Sequence, residues 1–393
     1  MIFLLISLFL ILPYVVLIIY YRQSWLQIKT YHPVSNESFK HSTFITVIIA
    51  ARNEENNIGN CIESIIKQTY PHDLFELIIV DDHSSDSTYA IANSFIKDSL
   101  TKNNSITVIS LKDFTMNETL NSYKKKAVET AISFARGNLI VTTDADCIVQ
   151  LEWLKTIASY YEEFSPVFIA GPVVYTNPRP GDSLFKKLFK TFQSLDFIAL
   201  QGITGASVYK QFHNMCNGAN LAYEKTAFNK AGGFEGIDQI ASGDDMLLMH
   251  KIKQVYPDRI MYLKSTNVVV QTQPAETLKD FLNQRIRWAS KADKYTDSKI
   301  TAVLLLVYVF NAWVFFMALY SFFYLYAFYL FLLLIGVKTI VELFFLYPVA
   351  GFFKKQKLLW LFIPAQPFHI MYTLFAGWLG KFGSYKWKDR KVK

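Results

Sequence analysis

The chain is poor in cysteine, poor in charge, and lacks the glycine-rich signatures that most often announce a nucleotide site. Cys61, Cys147 and Cys216 are the only three cysteines in 393 residues. They are odd in number, far apart and form no C-x-x-C, so neither a disulfide frame nor a zinc site is expected, and a reducing compartment is the simple reading. There is no G-x-G-x-x-G and no G-x-x-x-x-G-K-[ST], which excludes a dinucleotide fingerprint and a P-loop. Internal repeats are absent. Charged residues make up only 18% of the chain, and three stretches, 1–21, 301–337 and 358–380, carry no Lys, Arg, Asp or Glu at all. No basic stripe has nucleic-acid motif spacing, so the net charge of +8 reads as attraction to an anionic inner leaflet and not to nucleic acid.

What the chain does have is apolar surface: 52% of residues are hydrophobic and 16% aromatic. A helix needs about 20 apolar residues to cross the hydrocarbon of a bilayer. Residues 1–21 supply one anchor; a cleaved signal peptide would need a basic start and a small-residue cleavage site, and neither is present around YYRQSW. A linker spans 22–41. Residues 299–353 supply two more transmembrane helices. The third C-terminal run, 358–380, holds Pro364, Gln366, Pro367 and His369 in its first half, which fits a re-entrant segment as well as a span. Arg22, Lys29, Lys291, Lys294, Lys354, Lys355 and Lys357 fall on one side if 22–300 is cytoplasmic. The basic tail 381–393 joins them only if 358–380 enters and returns, and the expectation leans that way. The whole reads as a multi-pass integral protein of a bacterial cell membrane with a cytoplasmic domain.

That domain begins with alternating strand and helix patterns over 42–150. TFITVIIAA (43–51), FELIIVDD (75–82), SITVISL (105–111) and NLIVTTDAD (138–146) are apolar, β-branched runs of the kind buried in parallel sheets. Helical spacing separates them, for example Ile58, Cys61, Ile62, Ile65 and Ile66 on one face. Such alternation predicts an α/β fold with a Rossmann-like, mostly parallel sheet, whose ligands gather at the carboxyl ends of the strands. Each strand pattern ends in a polar cluster. Residues 151–298 are less regular. Within them DSLFKKLFKTFQSLDFIALQ (182–201) is an amphipathic helix with a basic face, suited equally to packing on the sheet domain or to lying on the membrane.

Two acidic pairs stand out. Asp144 and Asp146 follow the fourth strand pattern, and if the chain stays extended both point the same way. Their repulsion calls for a divalent cation, a basic side chain or a raised pKa. A solvated loop with capping aspartates also fits, with Asp146 capping a helix that starts near Leu151. Asp244 and Asp245 follow IASG; either they cap the helix suggested by MLLMHKI, with Ser242 an equal candidate, or one is a carboxylate raised in pKa by its neighbour.

Five motifs occur in order: VIIAARNEENNI, IIVDDHSSDST, TTDADC, GFEG…SGDD and QRIRW. In order and approximate spacing they resemble the membrane-bound branch of inverting family 2 glycosyltransferases with the GT-A fold, over about residues 42–295. The resemblance implies a nucleotide-sugar-binding half (42–150) and an acceptor half with interfacial helices (151–298). It implies that Ala51, Arg52 and Glu54 form the first nucleotide loop, and that Asp82, with Asp81 beside it, reads base and ribose. Lys124 would face the diphosphate, Asp144 and Asp146 would hold the metal, Mg²⁺ or Mn²⁺, with Asp146 the favoured direct ligand. Asp245 would be the general base with Asp244 its neighbour. Gln284, Arg287 and Trp288 would lie near diphosphate and acceptor, although Trp288 also fits an interfacial anchor. Gly218-Ala219-Asn220 would line the acceptor pocket, or be a turn into a strand. Two departures concern the base: Ala-Arg replaces the frequent Pro-x-Tyr, and His83 stands where glycine usually follows the paired aspartates.

The implied reaction moves a sugar from a UDP- or GDP-sugar to a lipid or glycan acceptor. It needs charge neutralised on the leaving group and a proton taken from an acceptor hydroxyl, which a cation with Arg287 and a lysine, and one carboxylate, would supply. A processive polysaccharide synthase is the alternative, disfavoured because a pore wants polar groups within its helices and 301–337 is almost wholly apolar. A non-catalytic membrane scaffold would have lost one of the charged players, and a nucleotidyltransferase would not need the Asp-Asp and Q-x-x-R-W elements.

Overall fold

The computed structural model describes residues 1–33, 41–97, 105–115, 120–240, 242–291, 297–383, 385–387 and 390–392. It divides into two compact units: Lys29–Val174 with Asn214–Gln273, and Met1–Ile28 with Tyr175–His213 and Pro274–Lys393. The second unit opens with helix α1 (Ile2–Gln27).

The first unit is the α/β one. Strands β1 (Ile45–Ala51), β2 (Phe75–Asp81), β3 (Ser105–Ser110) and β4 (Leu139–Asp144) alternate with helices α2 (Ile58–Ile66), α3 (Thr88–Lys97) and α4 (Tyr123–Phe134). Then come α5 (Trp153–Phe164), β5 (Phe168–Ala170) and β6 (Val173–Tyr175). After the long helix α6 (Leu184–Tyr209) of the other unit, the chain returns as β7 (Leu221–Glu224), α7 (Lys225–Lys230), α8 (Asp244–Val255), β8 (Ile260–Tyr262) and β9 (Val270–Thr272). The main sheet has the order β3-β2-β1-β4-β7-β5-β8. It is parallel except for β7, which runs against both its neighbours, β4 and β5. The apolar runs dictate this: Ile45, Val47, Ile49, Ile79, Ile140 and Val141 are completely or almost completely buried, as strands covered on both faces require.

Register decides where the polar ends fall. Ala51 pairs with Asp81 across β1 and β2, and Ala50 with Asp144 across β1 and β4. Three segments that are remote in sequence therefore deliver their last residues to one edge, where a parallel sheet presents its ligands.

The second unit is helical: α1, α6, α9 (Leu278–Ala289), α10 (Ser298–Tyr320), α11 (Leu325–Phe352) and α12 (Phe362–Phe382), with a short ladder of β10 (Tyr385–Trp387) and β11 (Arg390–Val392). Among the described residues, four segments are long and apolar enough to cross a membrane: Ile2–Gln27, Ser298–Tyr320, Leu325–Phe352 and Gln356–Phe382. Within the last, residues 362–382 form one helix that continues through Pro367, and polar groups of that helix bond a neighbouring helix. Gln366 accepts from Lys338 Nζ (2.8 Å) and donates to Glu342 (2.6 Å), Lys338 bonds both Glu342 oxygens (2.7 and 2.9 Å), and Tyr14 donates to Glu342 as well. Polar groups inside these apolar helices thus exist just beyond the stretch 301–337, and they are spent on one another.

The expected basic helix 182–201 is the first part of α6, capped by Ser183, whose hydroxyl accepts from Lys186 N–H (3.3 Å). Phe192 is buried in a cluster with Phe281, Ile286, Tyr372 and Ala376. Its first turn faces outward: Leu184 and Phe185 are 73% and 75% exposed.

Candidate active site

The loops after β1 and β2 are stitched together side chain to backbone. The Asn53 N–H donates to Ser84 Oγ (3.0 Å), Glu54 N–H to Thr88 Oγ1 (2.7 Å) and Glu55 N–H to Asp86 (3.1 Å). In return Ser85 N–H donates to Asn53 Oδ1 (2.9 Å) and Ser87 N–H to Glu55 (3.0 Å). Ala51 closes β1, and its carbonyl accepts from Asp82 N–H (2.7 Å). Arg52 reaches the Asp82 carbonyl at 2.9 Å and its carboxylate at 3.7 Å. Asp81 is buried and accepts from Ser84 N–H (3.2 Å), while its Oδ1 is buried without a hydrogen-bond partner among the described residues. The Glu54 carboxylate accepts from Asn57 (2.8 Å). Short polar side chains thus fix two loops at the strand ends in one rigid arrangement.

Beside these loops the acids gather around one lysine. Lys124, in the first turn of α4, lies 2.8 Å from Asp144 Oδ1 and 3.1 Å from Asp244 Oδ2. Burial alone would lower its pKa, but Asp144, Asp244 and then Asp245 overcome this and hold it above the ordinary lysine value, so it remains a cation. Asp245 is oriented by two backbone donors, Gly218 N–H to Oδ2 (3.1 Å) and Met246 N–H to Oδ1 (2.8 Å). The cleft is lined by Ile48, Thr142, Leu221 and Tyr223 together with the acids and Lys124. Capping does not account for these acids. The residue before α8 is Gly243, in the left-handed conformation, with no side-chain cap bond. The residue before α5 is Glu152, again without one, and the Asp146 carboxylate accepts from Thr272 Oγ1 (3.0 Å) instead.

Asp144, Asp146 and Cys147 each offer one ligand atom, all within 4.8 Å of one another. Burial, reinforced by Asp146 and Asp144, pushes the Cys147 thiol well above its ordinary range. It stays neutral, which leaves two hard carboxylate oxygens as the donors suited to an ion such as Mg²⁺ or Mn²⁺.

Asn220 is buried and fully hydrogen-bonded. Its Oδ1 accepts from Trp153 Nε1 (3.0 Å), and its Nδ2 donates to the carbonyls of Pro172 (2.9 Å) and Val268 (2.7 Å). It is 2% exposed and fastens the turn that presents Gly218. Gly171 is required against it, since a Cβ there would come within 2.4 Å of Nδ2.

Gln284, Arg287 and Trp288 lie on α9 of the helical unit. A residue between them organises two of the three. Arg285, missed at the sequence level, pairs with Asp196 at 2.6 Å, both almost fully buried. It donates to Gln284 Oε1 (3.0 Å), which also accepts from Tyr175 (3.2 Å). Its guanidinium stacks over Phe281 and Trp288 at 4.6 and 4.3 Å, and Trp288 stacks on Phe197. Tyr372 of α12 donates to Asp196 too. Arg287 is half-buried and makes no ion pair among the described residues. The only local signal for Arg285 was a charged residue on the apolar face of an amphipathic helix.

Two family comparisons bear on this arrangement. The model for glycosyl transferase family 2 matches residues 46–229, and that for glycosyl transferase family group 2 matches 139–378, more than half of the chain. The chain belongs to glycosyl transferase family group 2. Among curated relatives of this glycosyltransferase, AglE of Haloferax volcanii is 25% identical over 244 residues, covering 62% of this chain and 71% of that protein. The probable glycosyltransferase YdaM of Bacillus subtilis is 25% identical over 277 residues, covering 69% and 60%. A solved mannosyltransferase, PcManGT from Pyrobaculum calidifontis, in complex with GDP-Man and Mn²⁺, superposes with a TM-score of 0.58 at 19% identity, over 96% of this chain and 98% of that one. The last likeness establishes a shared fold for the glycosyltransferase described here, GT-A with helical additions.

Proposed function

We propose that the α/β unit binds a nucleotide-diphosphate sugar and transfers one hexose, with inversion, to a lipid acceptor held at a membrane. One observation carries the reading. Carboxylates from two segments distant in sequence, Asp144 on one and Asp244 and Asp245 on the other, converge on the Lys124 ammonium at the carboxyl ends of the strands. Asp144 and Asp146 would hold a divalent cation, which when bound neutralises charge on the departing diphosphate. Lys124 adds a fixed positive charge beside it. Asp245, steadied by two backbone N–H groups, takes the proton from the acceptor hydroxyl. A single displacement needs no side-chain nucleophile, so none is assigned. Ala51, Arg52, Glu54, Asp81 and Asp82 present the nucleotide loops. Gln284, Arg287 and Trp288 serve the acceptor side, as the family resemblance implies.

Membrane association rests on the four apolar helices and on the basic residues that flank them. Single transfer is favoured over processive synthesis because Lys338, Glu342, Gln366 and Tyr14 are hydrogen-bonded to one another, which leaves them little capacity to bind a polymer. Membranes carrying the protein, incubated with a panel of labelled nucleotide sugars and then extracted, should place label in the lipid fraction and release nucleoside diphosphate. Label in high polymer would establish the processive alternative; release of pyrophosphate would establish nucleotidyl transfer; no label in any product would fit a scaffold.

A further inference from the structure

The loops after β1 and β2 each contain one non-glycine residue in the left-handed region, Asn53 at φ 50° and His83 at φ 55°. Glycine takes that conformation freely, whereas side chains with a Cβ adopt it rarely, Asn and His more often than most. Retained strain in a ligand-facing loop directs attention to what the side chain does. The Asn53 side chain is used locally, accepting from Ser85 N–H and Ser85 Oγ. The His83 ring is aimed elsewhere. Its Nδ1 lies 3.1 Å from Asp82 Oδ1, a carboxylate only 3% exposed, and Arg52 approaches that same oxygen at 3.7 Å. A carboxylate only accepts, so Nδ1 carries the proton in this contact. The ring also meets Tyr123 edge to face, with centroids 5.4 Å apart, and its Nε2 stands 3.4 Å from Thr115 Oγ1. Tyr123 opens α4 and precedes Lys124. One imidazole therefore touches the acid at the end of β2, the segment after β3 and the helix that carries the site's lysine. A glycine would keep the backbone and lose all three contacts.

We infer that His83 is a positioning residue for the nucleoside end of the donor: it fixes the Asp82 carboxylate and so sets nucleobase preference. The inference rests on the nucleotide-sugar reading of the site. Calorimetric titration of the detergent-solubilised full chain with UDP and with GDP tests it, using the wild type, His83→Gly and His83→Asn. His83→Gly suits the local backbone, so its thermal midpoint should equal or exceed that of the wild type. It should bind the preferred nucleoside diphosphate about tenfold more weakly, the size of one hydrogen bond to a charged group, and the ratio of UDP to GDP affinity should narrow. His83→Asn, which also tolerates the left-handed region and offers an N–H donor, should recover most of the affinity. Wild-type affinities for both nucleotides in His83→Gly would overturn the inference alone, as would an Asn variant no better than the Gly one. A wild type that binds neither nucleotide would overturn the donor reading and the inference with it.

Discussion

The two units both contain buried charge, and they use it in opposite ways. In the helical unit Arg285 and Asp196 are almost sealed from solvent, 4% and 5% exposed, and the surrounding Gln284 and Tyr372 occupy further hydrogen-bonding positions of the pair. Lys338 and Glu342 are satisfied by each other, by Gln366 and by Tyr14. Such groups hold helices together and have little left to offer a ligand. In the α/β unit Lys124 is 24% exposed, Asp144 37% and Asp244 18%, and one ammonium stands among several acids. A cluster that is acid-rich, half-open and placed at strand ends suits a cation and a phosphate ester. One-to-one pairing, more than burial, separates scaffolding charge from working charge.

The largest effect that tests this contrast is at Asp245. Asp245→Asn keeps the shape and removes the proposed base, so turnover should fall about a thousandfold, within the usual range for general-base loss, while donor binding measured by titration stays near the wild type. Residual turnover with lost binding would place the base elsewhere. Next comes the cation. Chelation should abolish transfer, Mg²⁺ or Mn²⁺ should restore it, and Asp146→Asn should raise the metal concentration for half-maximal activity about 10- to 100-fold. Activity indifferent to chelator would remove the assigned role of Asp144 and Asp146.

The sealed Arg285–Asp196 pair should respond in stability and not in metal demand. Asp196→Asn leaves the Arg285 guanidinium buried without its counter-charge, a change that costs about 3–5 kcal/mol and should lower the yield of folded protein. Tyr372→Phe deletes one hydrogen bond to Asp196 and should cost about 1 kcal/mol. If either variant shifted the metal requirement instead of the thermal midpoint, the division between scaffolding and working charge would fail.

Much of the α/β unit was legible because its signals are local. A continuous apolar β-branched run can be buried in the middle of a sheet and in few other places, so TVIIAA, LIIVD and LIVTTD located β1, β2 and β4 together with the acids at their ends. Expectation and structure agree on a mostly parallel sheet. The reversal of β7 between β4 and β5 was not visible, since LAYE is too short to declare a direction. Pairings between distant residues were equally silent: Asp196 and Arg285 are 89 positions apart, and nothing in QRIRW marks the second letter as the organiser of the first and last. The three buried partners of Asn220 were equally hidden, because an asparagine before a strand looks alike whatever its amide meets. The continuity of the helix through Pro367 was hidden too, for a helix interior tolerates proline where neighbouring helices take up the polar groups around it.

The smallest predicted effect extends the comparison to a carboxylate of the α/β unit that is fully used. Glu162 on α5 accepts from Ser42 N–H (3.0 Å), Thr43 N–H (3.0 Å) and Thr43 Oγ1 (2.7 Å), and faces His41 Nδ1 at 3.0 Å, fastening the segment that leads into β1. Burial alone would raise its pKa, but the bonds from Thr43, Ser42 and His41 outweigh that and hold it below the ordinary glutamate value. A carboxyl lowered in the folded state binds fewer protons there than in the unfolded chain. Its stabilisation is therefore complete above the unfolded pKa, near 4.5, and fades as pH falls through the folded value. Glu162→Gln should lower stability by about 1–3 kcal/mol at pH 7, and the gap to wild type should shrink below about pH 4.5 in thermal melts. Nucleotide binding should not change, because Glu162 has no place among the acids around Lys124. A gap that persisted unchanged at low pH would mean the charge of Glu162 is immaterial and only its shape holds the strand's entry.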